Sequence, residues 1–463
     1  MLNIKLGEKM DLEGYIRRCL RKKIPENKII EDGFKRILEI KEDIDEEFAK
    51  KFIKAILEEV KTTEKFKEIK DENLKNLLKY PESKVTMGKM GVGSRGEGDF
   101  FVHREIARIV KSTNVKAYVS TEEQDDAGIV KVDNAKYIVA AIDGTHSRLS
   151  DFPFLGGFHV TRAALRDVYV MGAEAVALIS DIHLADDGDV GKIFDFTAGI
   201  CAVSEAVNVP LIGGSTLRVG GDMVIGERLV SAVGAIGVIK EGKPTARRNA
   251  EVGDIILMTE GSGGGTITTT ALYYGWFDVI YETLNVDFIK SCQNLIRSGL
   301  IKNIHAMTDV TNGGLRGDAY EISKTAKVSL VFDKEKVYKT INPKVLEMLE
   351  ALDIDPLGVS TDSLMIICPE EYANEIKKVT GAIEVGYVEE GNESYLIEDN
   401  KRIPLKPMFR ESAYTPVKKV VGEKPPENLE EMKEKVRKAC DEAIKKKDFV
   451  VELLNKKNKY LKF

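Results

Sequence analysis

Residues 121–147, TEEQDDAGIVKVDNAKYIVAAIDGTHS, constrain this fold more than any other stretch. Residues 128–132 and 137–142 are short β-branched runs, and Asp133-Asn134 between them is turn chemistry, so the segment predicts a β-hairpin. Folding about Asn134 sets Asp125 opposite Asp143, with Asp126 beside them. Opposed residues of an antiparallel pair have Cβ atoms roughly 5 Å apart, where like charges repel. A hard divalent cation reverses that sign, because Mg²⁺ takes oxygen ligands and shares them with phosphates. The alternative is that the aspartates solvate the strand ends, and the hairpin alone leaves both readings open.

Upstream, residues 90–99 read MGVGSRGEGD, and a helix is expected over 101–110. Gly91, Gly93, Gly96 and Gly98, with Ser94 and Arg95 among them, let backbone approach a ligand, and N–H groups near a helix start favour anions. A mobile linker is the competing reading. No Gly-Lys-Ser/Thr ends the loop, so it is not a Walker A motif.

Downstream, residues 156–172 have helical spacing that puts Asp167 among apolar neighbours. A carboxylate there needs a partner or a cation. Residues 173–184 read as a buried strand, 190–207 as an apolar helix, and 209–216 (VPLIGGST) as a strand running into a glycine turn at Gly213, Gly214 and Ser215. Another strand is expected over 228–239.

A second α/β unit begins near Arg248. It shows a strand, the glycines 263–265 with Thr266 and a helix start, then a helix over 287–299. A strand ends at Asp309, followed by a glycine turn with Asn312 and a helix. A further helix is expected in 333–352, a buried strand over 362–368, and the last core strand over 383–388. Asp309 at its strand end is placed at a substrate cleft, or caps the next helix as Asn312 also can. His146 and His159 flank the expected cleft as proton carriers or as structural histidines.

The flanks are different. Residues 10–70 are rich in Glu, Lys, Ile and Leu at helical spacing, their charges reading as a solvated face, and 81–89 reads as a linker. From Pro404 the chain is rich in Pro and Lys and closes with a charged amphipathic helix over 428–454, read as packing or oligomer contact. The expected division is a helical domain over 1–82, α/β units over 83–242 and 243–403, and a tail over 404–463.

The chain has 463 residues, 43% of them hydrophobic, which suffices for a full core. A net charge of −6 from 69 basic and 75 acidic residues, intermixed, gives no basic nucleic-acid surface. The five cysteines are scattered without a CxxC, against structural zinc or a disulfide framework. No apolar run reaches membrane-spanning length and the first residues lack a signal-peptide pattern, so a soluble cytoplasmic protein is expected, with no membrane or nucleic-acid partner.

Taken in order, these motifs resemble the aminoimidazole ribonucleotide (AIR) synthetase superfamily, also called PurM-like, over about residues 88–369. Its Gly-Asp-Asp-Ala-Ala segment resembles Gln124-Asp125-Asp126-Ala127-Gly128, and its next strand ends in Asp as Asp143-Gly144 does. Its Asn-x-x-Asp-x-x-x-Met-Gly-Ala helix resembles residues 164–173, which include Asp167, and its Gly-Gly-Asp-Thr turn resembles Gly213-Gly214-Ser215-Thr216. Its Thr-Asp-Val-Thr-Asp-Gly-Gly-Leu resembles Thr308 to Leu315.

The resemblance implies an α/β (α+β) fold of two PurM-like units. It also implies ATP, Mg²⁺ held by Asp125, Asp126, Asp143 and Asp167, the glycine loop 91–98 closing over phosphates, and a homodimer. The chain departs from the family pattern at Gln124 and at Ser215, where the family has Gly and Asp. It lacks the reactive Cys or selenocysteine of selenophosphate synthetases and the C-terminal cysteine of the hydrogenase maturation factor. The expected activity is phosphoryl transfer from ATP to an oxygen or nitrogen of a small substrate, with Arg95, His146 and Asp309 as reacting-site residues. A nucleotide-binding scaffold without catalysis is the alternative.

Overall fold

The computed structural model describes residues 11–41, 44–93, 96–113, 115–133, 136–145, 148–240, 242–311 and 313–457. Two sheets organise it. The first contains β1 (Gly128–Asp133), β2 (Lys136–Thr145), β3 (Glu174–Leu184), β4 (Leu211–Arg218) and β5 (Leu229–Ile239), in the order β1-β2-β5-β3-β4. Its pairs are antiparallel except β3 with β4. In the hairpin, Gly128 pairs with Ala140 and Ile129 with Val139, a register symmetric about position 134 as the sequence predicts. Asn134 itself lies outside the described residues.

The second sheet contains β6 (Ile255–Met258), β7 (Ala306–Asp309), β8 (Val328–Asp333), β9 (Leu364–Cys368), β10 (Ile383–Glu390), β11 (Tyr395–Glu398) and β12 (Lys401–Pro404). Their order is β12-β11-β8-β10-β6-β9-β7. Sequence reading ended the core strands at 388, but β11 and β12 add two more, because a tight turn at Asp399 and Asn400 (φ 48° and 58°) returns the chain as a hairpin. The helix expected in 333–352 is two helices, Lys334–Tyr338 and Pro343–Ala351. Pro343 starts the second, and the Asn342 side chain caps it.

Helix Pro153–Val170 runs between the sheets, with nearly all of its residues buried, and contacts β2, β5 and β7. Helix Gly191–Val207 crosses it closely: a Cβ on Gly157 would lie 2.0 Å from the Phe196 carbonyl oxygen, so the contact requires glycine. Among the described residues, helix Pro153–Val170 covers one face of the first sheet at β2, β5 and β3. On the other, Ile142, Gly234, Ile179 and Gly213 stand in one row across four strands, and the isoleucines Ile138, Ile142, Ile179 and Ile212 are exposed.

Residues expected to be helical near the N-terminus form helices Leu12–Arg21, Glu26–Ile40 and Glu46–Glu64 around their own core of Leu12, Ile16, Ile37 and Ile53. Lys41 ties them to the turn that follows β3 through Asp187 at 2.6 Å. The long helix Leu429–Lys457 lies against helix Glu97–Lys111, where Arg108 meets Asp441 at 2.5 Å.

Candidate functional site

A cavity of about 320 Å³ opens where the two sheets meet. Asp143 reaches it from β2 because the strand alternates, with Ile142 and Gly144 on the exposed face and Asp143 turned inward. Its Oδ1 accepts from the Gly144 N–H at 3.1 Å. Asp167 reaches it from helix Pro153–Val170, and Gly93, Gly265 and Thr266 line it too. Gly265 starts a ten-residue helix, so backbone N–H groups face the space.

Beneath these, Arg166 is buried between two acids. Its Nε donates to Asp309 Oδ2 at 3.0 Å and its Nη1 to Asp362 Oδ2. Asp362 also accepts from Ser360 Oγ at 2.7 Å and lies 3.5 Å from Arg162 Nη2. Burial by itself raises the Asp362 carboxyl, but Arg166 and Arg162 outweigh it and hold the group below its ordinary value. Asp167 goes the other way. Burial, then the charges of Asp309, Asp143 and Asp126, push it well above the carboxylate range, against the smaller pull of Arg166. His159 is buried, driven down to about 3 by desolvation, and joined through Nε2 to Thr268 Oγ1 at 2.8 Å. It is neutral at physiological pH and lines the cavity, where the sequence places it beside the cleft.

Asp125 and Asp126 take a different position from the one the hairpin register predicts. The β1–β2 ladder stops at Gly128, and the chain before it turns at Gln124, whose φ of 53° is the left-handed conformation a glycine favours. Both acids therefore reach Arg247. Asp125 Oδ1 accepts from the Arg247 backbone N–H at 2.9 Å, and Asp126 Oδ1 from its Nη2 at 2.6 Å. Asp126 Oδ2 accepts from Thr308 Oγ1 at 2.9 Å. Arg247 is wholly buried and also pairs with Asp318 and Glu321. Burial pushes Asp125 up to about 6 despite Arg247.

The remaining predicted residues divide clearly. Gly93 and Gly144 line the cavity, and the Gly93 N–H donates to buried Asp99 Oδ1 at 3.0 Å. Gly91 (φ 72°) ends the short helix Met87–Met90, and Gly96 precedes helix Glu97–Lys111. Asp309 is buried against Arg166 rather than on the cavity wall. Gly213, Gly214 and Ser215 lie inside β4 rather than in a turn, on the sheet edge. Gly214 shares a row with Asp143 but lies three strands away, roughly 14 Å at the usual strand spacing. Ser94, Arg95, His146 and Asn312 lie outside the described residues.

Sequence reading missed Arg166, Arg247 and Asp362. A basic residue directly preceding Asp167 in an apolar helix was the one available signal. It also missed Glu411 and Lys418, which line the cavity from a segment read as tail packing.

Among the described residues, no three His, Cys, Asp or Glu side chains form a ready-made metal site. The donor set nevertheless fits Mg²⁺, which characteristically takes one or two carboxylates and completes its shell with water and substrate phosphates. Asp143 and Asp167 supply two oxygen donors at one cavity, and the high proton affinity of Asp167 reflects a local excess of negative charge.

Two sheets joined around a buried helix, with an acid-lined cavity between them, define an α/β protein of two-unit architecture. Residues 124–239 match the AIR synthase related protein N-terminal domain and residues 251–399 its C-terminal domain. An uncharacterized protein of Methanocaldococcus jannaschii is 91% identical over 450 residues, covering 97% of this chain and 99% of that one. The chain belongs to the AIR synthase related family.

A selenide, water dikinase of Myxococcus xanthus is 26% identical over 49% of this chain, and the match spans only 63% of that enzyme. Among solved structures, AaThiL complexed with AMPPCP and TMP aligns at a TM-score of 0.52 and 17% identity, over 66% of this chain and 94% of that one. The hydrogenase maturation protein HypE in complex with ATP aligns at 0.51 and 18%, with the same two coverages. These structures share the fold. Among the described residues no helix is long and apolar enough to cross a membrane.

Proposed function

We propose that this chain is an ATP- and Mg²⁺-dependent phosphoryl-transfer enzyme acting on an oxygen or nitrogen of a small molecule. Its family units would correspond to residues 83–242 and 243–403. The observation that carries this reading is the placement of Asp143 and Asp167 on one cavity with the glycine backbone of Gly93, Gly144 and Gly265. The nucleotides bound to AaThiL and HypE support it.

Asp143 and Asp167 would hold the ion, and Asp126 adds field from behind. Bound Mg²⁺ supplies neutralisation of phosphate charge. The backbone N–H groups at Gly265 and Thr266 would orient phosphate oxygens, and Arg166 holds Asp309 and Asp362 so that the cavity floor stays fixed. Such transfer needs no covalent nucleophile, since positioning and charge stabilisation supply most of the catalysis.

A homodimer through the bare face of the first sheet accompanies this reading. The exposed isoleucines there form a patch of the kind that marks an interaction surface.

Isothermal titration tests the metal and nucleotide assignment. Mg²⁺ with a non-hydrolysable ATP analogue should bind, and Asp143→Asn or Asp167→Asn should weaken that binding at least tenfold. Unchanged affinity in both variants would remove the assignment. One observation favours a binding protein without catalysis: Arg247 already neutralises Asp126. Tight nucleotide binding with no transfer of labelled phosphate to any small molecule would select that reading.

A further inference from the structure

The chain segment after β12 does more than lead into the last helix. Residues 407–421 form a strap over the cavity. Met408 O accepts from the Glu97 N–H at 2.9 Å, and Arg410 Nη2 donates to Gly88 O at 2.9 Å, so the strap grips both ends of the glycine loop. Ser412 Oγ donates to Asp355 O at 2.9 Å, and Thr270 Oγ1 donates to Tyr414 O at 3.1 Å, which fixes it to the second unit. From this strap Glu411, Tyr414 and Lys418 line the same cavity as Asp143 and Asp167. Glu411 is 4% exposed. Its Oε1 is held by Lys418 Nζ, whereas Oε2 is buried with no hydrogen-bond partner among the described residues. A buried acceptor without a donor is costly, and a bound molecule that brings an O–H or N–H removes that cost.

We propose that the strap completes the acceptor half of the site and that Glu411 takes the proton from the acceptor's attacking hydroxyl or amine. This rests on the phosphoryl-transfer reading above. In the step, the acceptor's O–H or N–H proton passes to Glu411 Oε2 as its oxygen or nitrogen bonds to the γ-phosphorus. The bond from that phosphorus to the β,γ-bridging oxygen breaks, and ADP leaves with the electron pair. Lys418 is the positioning residue: it fixes Oε1 and favours the ionised carboxylate.

The local charges suit this role. Burial raises Glu411 to about 7, Lys418 on the same strap lowers it, and Asp99 on helix Glu97–Lys111 raises it. Tyr414 on the strap also interacts with it, and Asp143, Asp167 and Asp362 line the same cavity. A base poised near neutrality is the efficient case.

The test uses the full chain with Mg²⁺ and [γ-³²P]ATP, and the small-molecule fraction of a Methanocaldococcus jannaschii extract as acceptor. Transfer by the wild type should rise with pH through about 7. Glu411→Gln should slow transfer at least about a hundredfold, the scale of general-base catalysis. Its melting temperature should not fall below that of the wild type, and its affinity for a non-hydrolysable ATP analogue should be unchanged. Lys418→Met should move the midpoint of the pH profile upward, a change that a merely structural lysine would not cause. Transfer by Glu411→Gln within threefold of wild type, or an unmoved midpoint in Lys418→Met, would overturn the proposal and leave phosphoryl transfer standing. No transfer by the wild type itself, with nucleotide bound, would overturn both.

Discussion

Arg247 Nη2 lies 2.6 Å from Asp126 Oδ1, and neither side chain is reached by solvent. The guanidinium sits between the two family units. It joins Asp126 of the first to Asp318 and Glu321 of the second, while the Arg247 backbone N–H holds Asp125. Removing one partner of a buried ion pair leaves uncompensated charge, at a cost of roughly 3–5 kcal/mol. Arg247→Met should therefore destabilise the protein by at least that much, measured by guanidinium unfolding at pH 7. A loss below about 1 kcal/mol would show that the knot contributes little beyond packing.

Asp125 gives a pH signature. Its carboxyl is raised to about 6 in the fold, mainly by burial, against about 3.9 when unfolded. Its contribution to stability is thus fully present below the unfolded value and is lost as pH rises through about 6. Asp125→Asn keeps an oxygen for the Arg247 N–H and carries no charge. The variant should match the wild type near pH 4 and exceed it by on the order of 2 kcal/mol above pH 7. Urea unfolding across that range reads the difference, and a gap that narrows with rising pH would contradict the sign.

Gly96 marks the contact between glycine loop and strap. A Cβ there would lie 2.3 Å from Phe409 O and 2.6 Å from Met408 O, both backbone atoms that cannot swing aside. Gly96→Ala should separate loop from strap at about 1–3 kcal/mol of overpacking. Affinity for Mg²⁺ with a non-hydrolysable ATP analogue should fall with it. Wild-type melting and wild-type affinity together would show that the loop tolerates the shift.

The bare face of the first sheet predicts the oligomeric state. Ile142 is 69% exposed and Ile179 41%, in one row. Ile142→Lys or Ile179→Lys should convert a dimer into a monomer in sedimentation velocity, with the thermal unfolding of the monomer's core little changed. A wild-type protein that sediments as a monomer at tens of micromolar would rule out this interface.

Local pattern made much of the molecule legible. The period-two run in residues 137–142 and the turn after Val132 set the hairpin register, and strand alternation then turned Asp143 inward. Helical periodicity placed Asp167 among apolar neighbours and so at the cavity. The same reasoning failed one strand-length away. Extrapolating the register assigned Asp125 to face Asp143, but the ladder ends at Gly128, and the Arg247 backbone N–H, 122 residues along the chain, takes the acid instead.

By itself the sequence determined the elements, the hairpin register and the two acids whose positions follow from periodicity, because those depend on neighbours within a turn or a strand pair. Tertiary structure decided which charges meet. It brought Arg247 to Asp126, Arg166 to Asp362 and the strap's Glu411 to the cavity of Asp143. Pairing between groups more than a hundred residues apart is set by how the two sheets dock and what they exclude from water, and no local spacing encodes that distance.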